Sequence, residues 1–185
     1  LHNTFISENT NSQTYSNAHY RSNLFIGTGT PGRPVAVFPF ATAYSTSDYN
    51  GYRPNGPDSN YRWVAPQERE LMNYTITVRE NGKSFDHLSA LTAATGLEAH
   101  GIEVDTNVFG NLSLPDPEKP GFVYHAVDLA FRLNPDGKAV DAGVPLPNVN
   151  DGYAGNAPDL GALEVGQEAP VYGPRGAVYN RPFYR

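Results

Sequence analysis

Residues 141–164 read Asp-Ala-Gly-Val-Pro-Leu-Pro-Asn-Val-Asn-Asp-Gly-Tyr-Ala-Gly-Asn-Ala-Pro-Asp-Leu-Gly-Ala-Leu-Glu. Turn formers crowd the stretch: Asp141 before Ala-Gly, Pro145, Pro147, Asn148, Asn150, Asp151 before Gly, and Pro158. Gly supplies positive φ, Pro fixes φ, and short Asn and Asp side chains bond nearby backbone. The segment then becomes apolar, and residues 160–165 read as a strand. Four carboxylates fall here: Asp141, Asp151, Asp159 and Glu164. Hard oxygens close together suit calcium. Their spacing matches no calcium loop, however, and Asp before Ala-Gly or Gly is read as turn chemistry, each side chain bonding its own backbone. Calcium is the one cofactor the sequence leaves open.

A repeat lies upstream. Asn3-Thr-Phe-Ile recurs as Asn23-Leu-Phe-Ile at a spacing of 20 residues, and Ser47-Asp-Tyr-Asn-Gly-Tyr is a third related segment. Self-similarity at about 20–25 residues is the rung length of a β-solenoid. In a parallel coil, equivalent residues stack at about 4.8 Å. Phe and Ile would then stack in a core. Asn, at a tight turn, would take left-handed backbone and bond its neighbour's amide along the stack. The plainer alternative is two ordinary strands sharing Asn-x-Phe.

Elsewhere, residues 35–40 are apolar, with Pro39 marking an edge or strand end. Residues 55–60 and 134–137 are turns. Short strands are expected at 61–64, 74–78, 102–109 and 128–133. Residues 84–95 are the helix candidate: Ser84 would cap it, Phe85, Leu88 and Leu91 share a face, and Gly96 would stop it. Residues 166–185, rich in Pro, Tyr and Arg, are expected to be an extended tail, separate from a first unit at 1–165.

Gly 18, Pro 16, Tyr 12 and Phe 9 favour an all-β, loop-heavy chain over a helical bundle. With no cysteine there is no disulfide, thiolate zinc site or cysteine nucleophile. A net charge of −6 with only 13 Lys and Arg argues against a nucleic-acid partner. No apolar run approaches the roughly 20 residues of a membrane helix. Gly27-Thr-Gly-Thr-Pro-Gly lacks the Lys of a phosphate loop, and Asn73 and Asn111 head glycosylation sequons that matter only in a eukaryotic secretory pathway. A first residue of Leu rather than Met reads as a mature, proteolysed or truncated start.

Several patterns in order carry a resemblance. They are His2-Asn-Thr-Phe, Arg21-Ser-Asn-Leu-Phe, Ser47-Asp-Tyr-Asn, and Phe85 to Leu91 leading into Ala94-Thr-Gly-Leu-Glu-Ala-His-Gly-Ile-Glu-Val-Asp. Then follow Val108-Phe, Asp128-Leu-Ala-Phe-Arg-Leu, Ala139-Val-Asp-Ala-Gly, Ala157-Pro-Asp-Leu-Gly-Ala-Leu-Glu and Tyr172-Gly-Pro-Arg. Together they resemble bacterial secreted right-handed parallel β-helix proteins of the polysaccharide-lyase-like group, over nearly the whole chain and most specifically across 94–175. One departure is Lys138, where that group carries a second proline before Ala-Val-Asp-Ala-Gly.

The resemblance implies C-terminal rungs and a closing cap, with 160–165 as the finishing strand. It implies further rungs before Leu1, so that the upstream portion of the same protein or a neighbouring copy becomes a partner. It also implies export to the cell surface, periplasm or medium, and a connection to polysaccharide. It transfers no catalytic residue. On chemistry alone, Arg21, Tyr49, Arg53, Tyr61 and Trp63 suit sugar contact, because flat aromatic faces interleave with cations. His2 and His19 sit on neighbouring repeats, where a lyase would need a base and a cation to neutralise a uronate. His100 reads as a structural hydrogen-bonding histidine. Asp48, Asp58, Glu68 and Glu70 are the carboxylates available for glycoside hydrolysis in that region, with no telling spacing. Two functions follow: part of an exported β-helix protein that acts on or binds polysaccharide, as a lyase or hydrolase if it is an enzyme; or a non-catalytic extracellular scaffold.

Overall fold

A computed structural model of the chain describes residues 1–7, 17–38, 44–58, 60–64, 82–112, 116, 118, 119, 121–123 and 131–168. Within these it is mostly short strands with one helix. In chain order they are β1 (Thr4–Ile6), β2 (His19–Arg21), β3 (Leu24–Ile26), β4 (Ala36–Phe38), β5 (Thr46–Asp48), β6 (Gly51–Arg53), β7 (Tyr61–Trp63), β8 (Lys83–Phe85), α1 (Leu88–Thr95) and β9 (Ile102–Glu103). A single 3-10 turn follows at Thr106–Val108. No described helix is long and apolar enough to cross a membrane.

The strands form three sheets: β1-β3-β6-β9, β2-β5 and β4-β7-β8. Every described pair is parallel except β7–β8. The chain runs β2-β3-β4 and then repeats the pass as β5-β6-β7, each strand lying parallel to its counterpart. The link between the first two strands of each pass is only two residues, Ser22-Asn23 and then Tyr49-Asn50.

The two link residues have different tasks. Ser22 (φ 55°) and Tyr49 (φ 57°) take left-handed backbone, as does His2 (φ 48°) before β1. The following Asn does not; its side chain builds a ladder instead. The Asn3 N–H and Nδ2 both donate to Asn23 Oδ1, at 3.1 and 3.2 Å. The Asn23 N–H and Nδ2 donate in the same way to Asn50 Oδ1, at 3.0 and 2.8 Å. The expectation that Asn itself turns left-handed is thus corrected, while its bond to the neighbour's amide is found as expected. The turn residue takes the left-handed backbone, and the Asn beside it stays out of that region, so that one oxygen can accept both donors of the neighbouring Asn. Backbone bonds keep step: Leu24 N–H to Asn3 O, Gly51 N–H to Asn23 O and Ile102 N–H to Asn50 O, at 2.8, 2.8 and 3.0 Å.

The sheet β1-β3-β6-β9 separates two apolar cores, because side chains alternate along each strand. One face gives the aromatic column Phe5–Phe25–Tyr52, with rings stacked at 5.1 Å in both steps. Phe25 and Tyr52 pack with Val35, Phe38, Tyr61, Leu88 and Leu91. The other face gives Leu24 and Ile26, which pack with Val104, Val108, Phe109, Leu133, Ala139 and Leu160. Full burial of a side chain such as Leu24 contributes about 1.5–3 kcal/mol.

Helix α1 begins later than the sequence suggests. Ser84 lies in β8, and His87 is the N-cap residue, with no side-chain cap. The cap is supplied from outside: Glu103 Oε1 accepts the Leu88 N–H at 3.0 Å. Leu88 and Leu91 are buried as expected, and Gly96 (φ 73°) ends the helix, its N–H bonding Thr92 O. The expected strand at 102–109 is cut to Ile102–Glu103, because the Asp105 side chain accepts the Asn107 N–H and starts a 3-10 turn. The turns at 55–60 and 134–137 are present: Asn60 Oδ1 accepts the Asn55 N–H, and Gly137 N–H bonds Asn134 O. Of 128–133, residues 131–133 are described, and Leu133 makes one antiparallel bridge to Phe109. The strand expected at 74–78 and the tail beyond residue 168 lie outside the described residues.

The segment 139–165 is the main correction to the reading from sequence. No strand forms at 160–165. The segment lies instead over the Leu24 face near β1 and β3. Gly161 N–H bonds Ser22 O (2.8 Å), Val144 N–H bonds Ser22 Oγ (3.2 Å), and Ala162 N–H bonds Thr4 Oγ1 (3.1 Å). Leu160 inserts at 1% exposure. Gly143 is required by close approach: a Cβ there would sit 2.7 Å from Pro158 O and 2.8 Å from Ser22 Oγ. Turn-rich backbone satisfies its groups on its own loops and on the sheet corner, so it covers a flank without adding a ladder strand.

Candidate functional site

The outer side of the tight corner stacks one residue from each pass: His2, Ser22, Tyr49 and, two residues before Ile102, His100. The first two are covered. Ser22 is fully buried beneath 143–144 and 161, and His2 Nε2 lies 2.7 Å from Asn150 Nδ2, where burial holds its pKa below the usual histidine value. Tyr49 and His100 remain accessible, their rings stacked at 4.4 Å and 12°.

Asp48, at the end of β5, fixes this pair. Its Oδ1 accepts the N–H groups of Tyr49 (2.9 Å) and His100 (2.7 Å), and its Oδ2 lies 2.9 Å from His100 Nδ1. Partial burial alone would raise the Asp48 pKa. The bonds from the His100 ring, the His100 N–H and the Tyr49 N–H outweigh it and hold the carboxyl below its ordinary value. With Nδ1 engaged, Nε2 of the exposed His100 ring is the nitrogen left to meet a ligand. Arg21 lies directly opposite Asp48 in the β2–β5 pair. Its guanidinium is braced by Tyr20 O (2.7 Å) and Thr46 Oγ1 (3.0 Å). An open concavity of about 360 Å³ adjoins it, lined by His19, Arg21, Leu1, Leu146, Pro147 and Val149. The corner therefore offers a fixed cation, an oriented imidazole, an aromatic stack and an apolar groove.

Of the five residues singled out in the sequence, Arg21 lies opposite Asp48 and Tyr49 follows Asp48 in the chain; the other three lie elsewhere. Arg53, on β6 beyond the corner, is half-buried and donates to Gly27 O. Tyr61 is a core residue, fully buried, with its ring edge-on to Tyr52 and its hydroxyl donating to Glu103 Oε1 at 2.8 Å. Burial, then Glu103, drives its pKa far above the usual phenol value. It has no face for a sugar, because the period of its strand points it inward. Trp63, on β7, is half-buried against the same core. Asp48 and His100 were not paired from sequence: they are separated by 52 residues, and Gly101-Ile102 shows none of the Asn-x-Phe signature.

Glu98 is a second unanticipated residue. At the fourth pass Gly101 occupies the ladder position, and the Glu98 side chain reaches back to end the ladder. At 2% exposure its carboxylate accepts from Tyr52 OH (2.7 Å), Asn50 Nδ2 (2.9 Å), the Asn50 N–H (3.3 Å) and Ser47 Oγ. Burial pushes its pKa up, against the bonds from Ser47, Tyr52 and Asn50. Gly101 must be Gly, since a Cβ would lie 2.8 Å from Glu98.

The C-terminal carboxylates serve backbone. Asp141 (φ 54°) does not bond its own turn; Oδ1 accepts the N–H groups of Asn156 and Ala157, clamping two loops and lowering its pKa. Asp159 accepts from the Asp141 and Val165 N–H groups, Glu164 from the Asp159 N–H, and Asp151 from the Asn148 N–H. Among the described residues, no three His, Asp or Glu side chains converge as a metal site. Glu68 and Glu70 lie outside the described residues. No family model, curated protein or solved structure matches the chain.

Proposed function

We propose that the chain is a stretch of right-handed parallel β-helix from an exported protein, and that it binds polysaccharide along the corner formed by Arg21, Asp48, Tyr49 and His100. The repeated pass β2-β3-β4 and β5-β6-β7, with parallel pairing and a shared Asn ladder, supports the β-helix reading. The motifs shared with secreted β-helix proteins support export. The observation that carries binding is Arg21 opposite Asp48, with Tyr49 and His100 stacked beside them. A planar guanidinium can hold a carboxylate or vicinal hydroxyls through paired N–H donors, and Nε2 of an imidazole oriented by Asp48 can accept from a hydroxyl. Polar groups fixed by their own hydrogen bonds lose little entropy when a chain of sugars lies across them.

Affinity electrophoresis against neutral and uronic-acid polysaccharides tests this. Retardation by at least one uronic-acid polymer is expected, weakened about tenfold by Arg21→Ala or His100→Ala, as loss of one hydrogen bond to the sugar implies. No retardation by any polymer would overturn it. Growth of unsaturated-sugar absorbance in the same mixtures would make the corner a lyase site. A second reading, a scaffold that stacks on further rungs, is favoured by one observation: Phe5 at the β1 end of the aromatic column remains 38% exposed.

A further inference from the structure

We infer that the outer edge of β1, unpaired among the described residues, is a docking site for a parallel strand of sequence Asn-x-(Phe/Tyr), the same module that this chain uses at Asn3, Asn23 and Asn50; this rests on the β-helix reading. Three unfilled positions line up on that edge. First, Asn23 Oδ1 and Asn50 Oδ1 each accept two bonds from the Asn one pass earlier, whereas Asn3 Oδ1 accepts none among the described residues. Asn3 Nδ2 is already used, on Leu1 O and Asn23 Oδ1. Second, exposure along the aromatic column falls from 38% at Phe5 to 5% at Phe25 and 0% at Tyr52, so one ring face is uncovered. Third, Phe5 stands opposite Phe25, and the Leu24 and Ser7 amides bond across the pair. The N–H and C=O groups of Thr4 and Ile6 therefore lie on the opposite side, where no described residue pairs with them.

These positions specify the occupant. An incoming Asn would donate its N–H and Nδ2 to Asn3 Oδ1 and accept the Thr4 N–H at its carbonyl, as Asn3 does with Leu24. Two residues later, an aromatic ring would stack on Phe5. An antiparallel strand would place neither group, and a strand without Asn would leave Asn3 Oδ1 unfilled. This is strand addition, in which backbone bonds supply affinity and alternate side chains supply selectivity.

The test adds a blocked peptide, His19-Tyr-Arg-Ser-Asn-Leu-Phe-Ile-Gly, to the full ¹⁵N-labelled chain and follows amide exchange by NMR. Thr4 and Ile6 amides are expected to exchange freely alone and to slow about tenfold or more at saturation, while Phe5 is protected throughout. Peptides carrying Asn23→Ala or Phe25→Ala are expected to bind about tenfold more weakly. Three results would overturn the proposal: protected Thr4 and Ile6 without peptide, no slowing at about millimolar peptide, or equal binding of the alanine peptides. Failure of the β-helix reading would look different, with Phe5 and Leu24 amides unprotected in the free chain.

Discussion

Replacing Asn23 by Ala cuts the ladder at its middle step. Asn23 is 1% exposed, and its side chain makes three bonds: Oδ1 from the Asn3 N–H at 3.1 Å and Asn3 Nδ2 at 3.2 Å, and Nδ2 to Asn50 Oδ1 at 2.8 Å. A net hydrogen bond contributes about 1 kcal/mol, and a buried group left unmade costs about 1–3 kcal/mol. The Asn3 donors are part-buried and partly rehydrate, and Asn50 Oδ1 keeps the Asn23 N–H, so the expected loss is about 2–4 kcal/mol. That is a large share of a typical stability of about 5–15 kcal/mol, and lowers Tm by about 5–12 °C for a chain of this size. Urea unfolding with an unchanged m value isolates the effect. Asn111→Ala, at an exposed turn away from the ladder, should change stability by less than about 0.5 kcal/mol. If Asn23→Ala is equally silent, the ladder reasoning is wrong.

Glu98→Gln tests the buried carboxylate. A carboxyl raised above its unfolded value favours the folded state below the unfolded carboxylate range and loses that contribution as pH rises through the folded value. Wild type should therefore lose ground to Glu98→Gln, in urea midpoint, as pH rises; a flat or opposite trend would contradict this. Asp48→Asn should show the reverse, because Asp48 is lowered: the wild-type advantage is present above the unfolded value and fades as pH falls through the folded one. The midpoint difference between the two proteins, followed through the acid range, checks it. Gly143→Ala should cost about 1–3 kcal/mol, since the clash is with a backbone carbonyl that cannot swing away; an unchanged thermal midpoint would mean that 139–165 packs differently.

What could be read from sequence follows the physics of each feature. Asn-x-Phe at 3 and 23 was legible because a parallel stack repeats its chemistry at every pass, and Asn50-Gly-Tyr keeps the same polar and aromatic positions. The fourth pass was not legible: its ladder group, Glu98, comes from three residues earlier in the chain and is admitted only because residue 101 is Gly. Tyr61 was misplaced because an aromatic beside an Arg reads equally as a sugar platform or a core ring, and only its strand pairing decides. The 141–164 segment showed its turns correctly. Their destinations, such as Asp141 to the Asn156 amide, depend on tertiary packing that local patterns do not carry. The corner of Asp48 and His100 joins residues from different passes, which no local pattern joins.

Asn3, Asn23, Asn50 and Gly101 lie in register on a parallel sheet between two cores. Scalar couplings across backbone hydrogen bonds measure this register most directly. Correlations are expected from the Leu24, Gly51 and Ile102 amide nitrogens to the carbonyl carbons of Asn3, Asn23 and Asn50 respectively. Absence of these correlations, together with strong cross-strand Hα–Hα contacts typical of antiparallel pairs, would contradict it.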